Sequence, residues 1–312
     1  MTAGARSFAF EHVDVFTERI FEGNPLAVFT EPGDLSDVEM QAIALELNLA
    51  ETVFVLPPQS RGAIARLRIF TPRRELPFAG HPTVGAVATI VAQRSDVPDA
   101  FAVDEGVGPV PIRVERRDGA PPLIWLTTPR VELGPTIAAD DAAAILGLAR
   151  SDVLDDMPPR YASAGSPFLF VALRDRDAVD RAAFAAGTLP APARPDVVGV
   201  FFFTPAHERP EAPHAVYARM FAPWSGILED PATGGATGPL AACMLHAGLL
   251  PRDEDVRLVS EQGTRMGRRS ILHVRITGAG GEAPVIEIGG SAVPALRGTL
   301  TIPRADVARS AR

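Results

Sequence analysis

Two stretches of this sequence are apolar on nearly every side, which is unusual for helices on the surface of a globular protein. Residues 82–93 and 233–250 carry few charges in their apolar bodies, so we predict two buried helices. Their first turns share a Thr-x-Gly-Ala sequence, which runs from Thr83 to Ala86 in one and from Thr233 to Ala236 in the other. The shared sequence indicates an internal duplication, with one buried helix in each half.

The segments around these helices read mostly as short strands. Runs rich in β-branched and aromatic residues predict strands at 8–16, 26–29, 52–56, 65–70, 123–126, 168–173, 198–203, 216–221, 256–260, 271–276 and 285–288. A third helix is predicted over 36–48, because Ser36 and Glu39 form a capping-box pattern and Asn48 is a typical stop. The Pro/Ala-rich residues 189–195 predict a surface loop.

Composition excludes several kinds of chemistry. The chain has no lysine, so Schiff-base catalysis, pyridoxal-phosphate chemistry and the lysine of a nucleotide-binding P-loop are not available. The single cysteine, Cys243, excludes an internal disulfide and any two-thiol mechanism, and we expect it to be a buried structural thiol. A net charge of -8 disfavours binding to nucleic acid or to anionic lipid. We therefore expect a cytoplasmic protein that acts on a small molecule, with no membrane span.

Three titratable residues lie where chemistry could take place. Glu51 stands between a predicted helix and strand, while His81 and Asp230 precede the two buried helices. A carboxylate and an imidazole can move protons, although a glutamate at a strand start is more commonly a solvated residue. The free N–H groups of helix starts favour a carboxylate or a developing oxyanion, and glycines there allow close backbone approach. The candidate substrate-binding residues are Gly80, Gly234 and Gly235.

Motifs for other enzyme classes are missing from the sequence. The six histidines form no HxxxH or HxH pair, so we expect no metal site. There is no GxSxG nucleophile elbow and no GxGxxG dinucleotide motif, which removes support for hydrolase and Rossmann interpretations.

Several blocks, in order, resemble the PhzF-like phenazine-biosynthesis isomerases, which share the fold of diaminopimelate epimerase. The similarity covers essentially the whole chain. The matching blocks are Asp14-Val15-Phe16-Thr17, Phe21-Glu22-Gly23-Asn24-Pro25-Leu26-Ala27-Val28, Asn48-Leu49-Ala50-Glu51-Thr52, Arg68-Ile69-Phe70-Thr71-Pro72, Glu75-Leu76-Pro77-Phe78-Ala79-Gly80-His81-Pro82-Thr83, Glu229-Asp230-Pro231-Ala232-Thr233-Gly234, Glu261-Gln262-Gly263, Met266-Gly267-Arg268 and Gly289-Gly290 with Ala292-Val293.

This resemblance implies an α+β fold of two similar domains, each a curled, barrel-like mixed sheet around a central helix. The implied first domain comprises residues 1–130 plus about 291–312, and the second comprises 131–290. The family typically forms homodimers, so a homodimer is expected here as well.

The resemblance also implies a function. In the family's isomerase a glutamate moves a proton between carbons of dihydro-hydroxyanthranilate, with a histidine and an aspartate assisting and with no metal or organic cofactor. Glu51, His81 and Asp230 occupy the matching positions, so an isomerase is the first interpretation. Gly235 stands where phenazine members usually carry a serine, and this difference could change substrate preference. The alternatives are a non-catalytic ligand-binding protein of the same fold and an epimerase that works without thiols.

Overall fold

A computed structural model describes residues 5–184, 196–205, 212–223, 227–281 and 284–302. The predicted loop at 189–195 lies outside these residues. The chain divides into two compact units, of which the first comprises Met1–Leu126 with Ser291–Arg312 and the second comprises Thr127–Gly290. We propose that these units are the two duplicated domains. No helix within the described ranges is long and apolar enough to span a membrane.

The first unit contains one mixed ladder of strands. Its strands are β1 (Arg6–Val15), β2 (Asn24–Phe29), β3 (Glu51–Leu56), β4 (Ala63–Phe70), β5 (Glu75–Leu76), β6 (Ala100–Glu105), β7 (Gly108–Arg117), β8 (Ala120–Thr127) and β17 (Ala292–Ile302). They pair in the order β17–β1–β2–β3–β4–β6–β7–β8, and the short β5 adds to β4. The pairs β2–β3 and β4–β6 are parallel and the others antiparallel. Each parallel pair needs a crossover, which α1 (Asp37–Leu47) and α2 (Gly80–Gln93) supply.

The second unit contains a second ladder. Its strands are β9 (Glu132–Thr136), β10 (Arg160–Ser163), β11 (Pro167–Ala172), β12 (Gly199–Thr204), β13 (His214–Phe221), β14 (Val256–Gln262), β15 (Ser270–Thr277) and β16 (Val285–Gly290), and they pair in chain order. The parallel pairs are β11–β12 and β13–β14. The helices are α3 (Ala139–Ile145), α4 (Arg176–Arg181) and α5 (Gly234–Ala247), and α4 and α5 are the two crossovers.

The two ladders have the same succession of parallel and antiparallel pairs, which confirms an internal duplication. In the second unit α5 packs against β9, β10 and β11 and also against β15 and β16, so both ends of the sheet curl around it. In the first unit α2 packs against β17 and β1–β4. The predicted α+β class and central helices are confirmed. The sheets are open rather than closed barrels, because the end strands of each ladder are not paired with one another in the described part of the chain.

The helix patterns in the sequence are confirmed with small shifts at the ends. The Ser36 hydroxyl accepts a hydrogen bond from the Glu39 amide, the Glu39 side chain accepts one from the Ser36 amide, and Asn48 ends α1 in the left-handed conformation. Helix α2 begins two residues before its predicted start, which places Gly80 and His81 in its first turn. The strand patterns do not predict β5, β6, β7, β9, β10 or β17, and β7 and β9 contain prolines that weaken a strand pattern.

The proposed register of the duplication is wrong by four residues. Thr83 donates to the carbonyl of Ala79, the residue before α2, at 2.7 Å, and Thr237 donates to the carbonyl of Thr233, the residue before α5, at 2.9 Å. These equivalent bonds pair Thr83 with Thr237, not with Thr233. The Thr-x-Gly-Ala match arises by chance in two segments rich in glycine and alanine.

The corrected register uncovers a longer repeat, Arg-x-Phe-x-Pro followed by Glu-x-Pro-x-x-Gly-x-x-Thr. In the first unit it runs from Arg68 to Thr83, and in the second from Arg219 to Thr237 with three more residues in the middle. The arginines also make equivalent contacts, since each forms two hydrogen bonds to the glutamate of its repeat, Glu75 or Glu229. This repeat leads from the end of a strand into the start of the central helix in both units.

Helix α2 approaches the sheet closely at Gly85. A Cβ atom added there would lie 2.6 Å from a methyl carbon of Leu26 and 2.7 Å from one of Val15. Both neighbours are fully buried, so they have little room to move.

We expect Gly85→Ala to lower the free energy of unfolding by about 1–3 kcal/mol, because the new methyl group overpacks the contact with β1 and β2. Chemical denaturation measures the change. Gly235→Ala is the matched control in α5, where a Cβ meets nothing within 4 Å, and we expect it to leave stability equal or higher. Equal effects of the two substitutions would contradict this account of the packing.

Candidate active site

Glu51 is the first residue of β3, where the chain turns back into the sheet after α1. The left-handed Asn48 ends the helix, and Glu51 then pairs alongside Leu26 of the parallel strand β2. The Glu51 side chain is only 12% exposed. The solvated carboxylate that is typical of a strand start therefore does not describe this residue.

His81 is the second residue of α2, and its ring faces Glu51. The His81 Nε2 atom lies 3.2 Å from Glu51 Oε2, and the histidine side chain is 7% exposed. The residue before the helix is Ala79, which has no side chain able to cap it. The first turn of α2 therefore presents backbone N–H groups next to a buried carboxyl and a buried imidazole.

The imidazole of His81 is neutral at physiological pH. Burial lowers the pKa of His81 to about 3, so the contact with Glu51 is not an ion pair. Asn24 Nδ2 lies 3.4 Å from His81 Nδ1. Because an amide NH₂ can only donate, Nδ1 accepts and the proton belongs on Nε2, the atom that lies 3.2 Å from Glu51 Oε2. Sequence reasoning did not single out Asn24 as a site residue, although it lies in the matching Gly23-Asn24-Pro25 block.

Asp230 belongs to the second unit, where it precedes α5 and is 6% exposed. The Thr233 hydroxyl donates to Asp230 Oδ2 at 2.6 Å. Gln262 at the end of β14 donates to Thr233 Oγ1 at 3.0 Å and to the Asp230 carbonyl at 2.7 Å, and it accepts from the Thr233 amide at 3.1 Å. Two residues that were not predicted as site residues therefore orient Asp230. Gln262 could have been found, since it lies in one of the matching sequence blocks.

The three candidate glycines lie in the first turns of the central helices. Gly80 is the first residue of α2, and Gly234 and Gly235 are the first two residues of α5. A Cβ atom at Gly235 would meet nothing within 4 Å, so a larger side chain fits there. Their contacts with a substrate stay a prediction.

The structure brings together two of the three predicted catalytic residues. Glu51 and His81 are in contact, whereas Asp230 lies in the other unit and its approach to them stays a prediction. The second unit has no equivalent of the Glu51–His81 pair. Strand register and helix starts place Gly199 at the position equivalent to Glu51, Gly235 at that of His81 and Leu76 at that of Asp230.

The Glu51–His81 pair has the parts needed for acid–base chemistry. The Glu51 carboxylate can accept a proton, and the neutral His81 can donate a hydrogen bond from Nε2. The single cysteine agrees with its predicted structural role. Cys243 is buried and its pKa is raised by burial to about 12, so the thiol is unreactive at neutral pH. Among the residues that the structure describes, no three His, Cys, Asp or Glu side chains form a group that could hold a metal ion.

Comparison with known proteins identifies the family. Residues 13–298 match the family model described as phenazine biosynthesis-like protein, PhzC-PhzF. An uncharacterized isomerase of Mesorhizobium japonicum is 37% identical, over 93% of this chain and 97% of the relative. The trans-2,3-dihydro-3-hydroxyanthranilate isomerase of Pseudomonas aeruginosa is 34% identical, over 89% and 94%.

A solved structure agrees with the fold. The Bacillus anthracis phenazine biosynthesis protein of the PhzF family superposes with a TM-score of 0.86 and 24% identity, over 95% of this chain and 100% of that one. The family model covers nearly the whole sequence, and relatives above 30% identity are named isomerases. The chain therefore belongs to the phenazine biosynthesis-like (PhzC-PhzF) family, and it is an isomerase.

Proposed function

We propose that this isomerase moves a proton between two carbons of a small carboxylate-bearing metabolite, with Glu51 as the acid–base residue. The substrate is similar to trans-2,3-dihydro-3-hydroxyanthranilate, on which a 34% identical relative acts by name. The observation that carries the proposal is the buried contact at 3.2 Å between Glu51 and a neutral His81.

In the proposed reaction the Glu51 carboxylate removes a proton from one carbon of the substrate. The electron pair of that C–H bond enters the conjugated system, and negative charge collects on its oxygen atoms. Glu51 then returns the proton to a second carbon, where the new C–H bond uses an electron pair of the same system. The N–H groups at the start of α2 and the Nε2–H of His81 stabilise the transient charge, and Asp230 orients the polar groups of the substrate.

A single acid–base residue is better suited to shifting a proton between carbons than to inverting a stereocentre. An epimerase of the two-base kind needs a base on one face of the carbon to remove the proton and an acid on the other face to supply one, and a duplicated fold would supply them at equivalent positions. Here the positions equivalent to Glu51 and His81 are Gly199 and Gly235, which have no side chains for proton transfer. An epimerase that uses Glu51 and Asp230 is the second candidate, because Asp230 is a buried carboxyl.

We also propose that the enzyme acts in the cytoplasm as a homodimer, without metal or organic cofactor. The family resemblance supports this proposal, as do a single buried cysteine and a proton shift that consumes no oxidant or reductant. Sedimentation analysis tests the dimer, and activity after exhaustive chelation tests metal independence.

We expect Glu51→Gln to lower the rate of deuterium incorporation from heavy water into trans-2,3-dihydro-3-hydroxyanthranilate by about 10²–10⁴-fold, because the amide cannot take up a proton. NMR follows the exchange. Glu46→Gln, on the exposed side of α1, is the control and should match the wild type. Unchanged exchange in Glu51→Gln would remove Glu51 from its role, and inversion of a stereocentre would favour the epimerase.

The neutral state of His81 predicts a specific pH dependence of stability. The folded protein resists protonating His81 down to about pH 3, whereas the unfolded chain takes up that proton below 6.5. The unfolded state then binds more protons, so this residue lowers stability as pH falls below 6.5, by roughly 2 kcal/mol at pH 5. The free energies of unfolding of the wild type and His81→Gln, measured by denaturation, should diverge by this amount between pH 7 and pH 5. Parallel curves would mean that the pKa of His81 is the same in the folded protein and in the unfolded chain.

We expect Gly235→Ser to raise kcat/KM for trans-2,3-dihydro-3-hydroxyanthranilate by about 10- to 100-fold, because the hydroxyl restores a hydrogen bond that phenazine members can make. The open space at this position means that stability should not fall. Gly235→Ala controls for the added carbon atom. If serine and alanine have the same effect, the missing hydroxyl does not determine substrate preference.

A further inference from the structure

Glu105 is a buried carboxyl that the proposed reaction does not use. It ends β6 and is 7% exposed, and its side chain lies against the first turn of α2. Its Oε1 atom is 2.5 Å from Thr83 Oγ1, and the Ala79 amide is a second hydrogen-bond partner of the carboxyl group. Glu105 thus contacts the helix turn that carries His81.

Counting hydrogens assigns the protonation state of Glu105. The Thr83 hydroxyl has one hydrogen and lies within hydrogen-bond distance of two oxygens, the carbonyl of Ala79 at 2.7 Å and Glu105 Oε1 at 2.5 Å. The hydroxyl can give its hydrogen to only one of these oxygens, and the Ala79 carbonyl cannot donate. A proton on the Glu105 carboxyl group is the arrangement that gives each of the two short contacts its own hydrogen.

The second unit has an amide side chain at the position equivalent to Glu105, and both side chains bond to the backbone amide of the residue before the helix. Parallel pairing aligns Arg66 with Asp104 in the first unit and Tyr217 with Glu261 in the second, which makes Glu105 the equivalent of Gln262. Gln262 accepts from the Thr233 amide and donates to a threonine hydroxyl and to a carbonyl at the start of α5. A glutamine has a donor and an acceptor at every pH, whereas a carboxyl group has both only when it is protonated.

We propose that Glu105 is a neutral carboxylic acid that acts as a positioning residue, holding the first turn of α2 and with it His81. Ionisation would remove the donor to Thr83. It would also place a negative charge at a helix start that, under the proposed function, receives an anionic substrate. The catalytic part of this inference rests on the proposed function, and the protonation state does not.

The surroundings of Glu105 favour the neutral form. Burial raises the pKa of Glu105 to about 8. The neighbouring Asp104 accepts hydrogen bonds from the Gln59 and Ser60 amides and does not face the helix start. The remaining titratable groups on the elements packed around it are the neutral His81 on α2, Arg66 on β4, the mutually paired Arg68 and Glu75 on β4 and β5, and four residues of β7. Of these four, Arg113 and Glu115 pair with each other, Arg116 pairs with Asp99 and Arg117 pairs with Glu18.

Measuring the unfolding temperature as a function of pH tests the protonation state of Glu105 without any substrate. The folded protein keeps the Glu105 proton up to about pH 8, whereas the unfolded chain releases it near 4.5. The native state therefore binds more protons in this window, and the contribution of Glu105 to stability is lost as pH rises. Wild type should lose stability relative to Glu105→Gln between pH 5 and 9, while Glu46→Gln should follow the wild type. If Glu105→Gln follows the wild type as well, the proposal is overturned.

Infrared spectroscopy and exchange kinetics supply two further readouts. A carboxylic acid C=O band should be present at pH 7 in the wild type and absent in Glu105→Gln, and a wild type without this band contradicts the proposal. In the deuterium-exchange assay, Glu105→Gln should retain a kcat about tenfold higher than that of Glu105→Leu. In the profile of kcat against pH, the alkaline limb of Glu105→Gln should lie at higher pH than that of the wild type. Equal loss in both variants, with an unmoved limb, would make Glu105 a merely structural residue. If no substrate exchanges, the unfolding and infrared results still decide its protonation.

Discussion

Burial of the first turn of α2 is the constraint that organises the candidate site. Backbone and side-chain polar groups in this turn cannot rely on water, so each needs a partner inside the protein. Asn24 contacts Nδ1 of His81 and Glu51 lies against Nε2, while Glu105 contacts Thr83 in the same turn. The same burial keeps His81 neutral, because a charged imidazole would be costly to desolvate. A helix start thus becomes a place where a proton can be held without a metal ion.

Duplication followed by divergence explains why both residues of the proposed proton-transfer pair belong to one half. Both units retain the arginine–glutamate contact, the proline before the helix, the glycine that begins the helix and the threonine in its first turn. They differ at the positions of the proposed proton-transfer pair, since Glu51 and His81 are replaced in the second unit by Gly199 and Gly235. The second unit instead carries Asp230, oriented by Thr233 and Gln262. The shared residues maintain two similar helix starts, and the differing ones give each start its own role.

Local signals in the sequence predicted much of this architecture. The Ser36 capping box and the Asn48 stop predicted α1, and the continuous apolar character of two segments predicted both central helices. The duplication was predicted in the wrong register, because alanine and glycine match easily and only the helix caps align Thr83 with Thr237. Glu105 had no signal of its own, since it ends a strand that the pattern does not predict. Long-range contacts such as those of Asn24 and Glu105 with α2 depend on sheet register, which single-sequence patterns do not contain.

The central claim is that one buried glutamate carries a proton from one carbon to another. The most direct test uses trans-2,3-dihydro-3-hydroxyanthranilate deuterated at the carbon that loses its proton, in ordinary water, with NMR detection of the product. Transfer by a single shielded base predicts that part of the deuterium appears at the second carbon of the same molecule. Complete loss of the label to solvent together with inversion at the original carbon would contradict the account and indicate two bases.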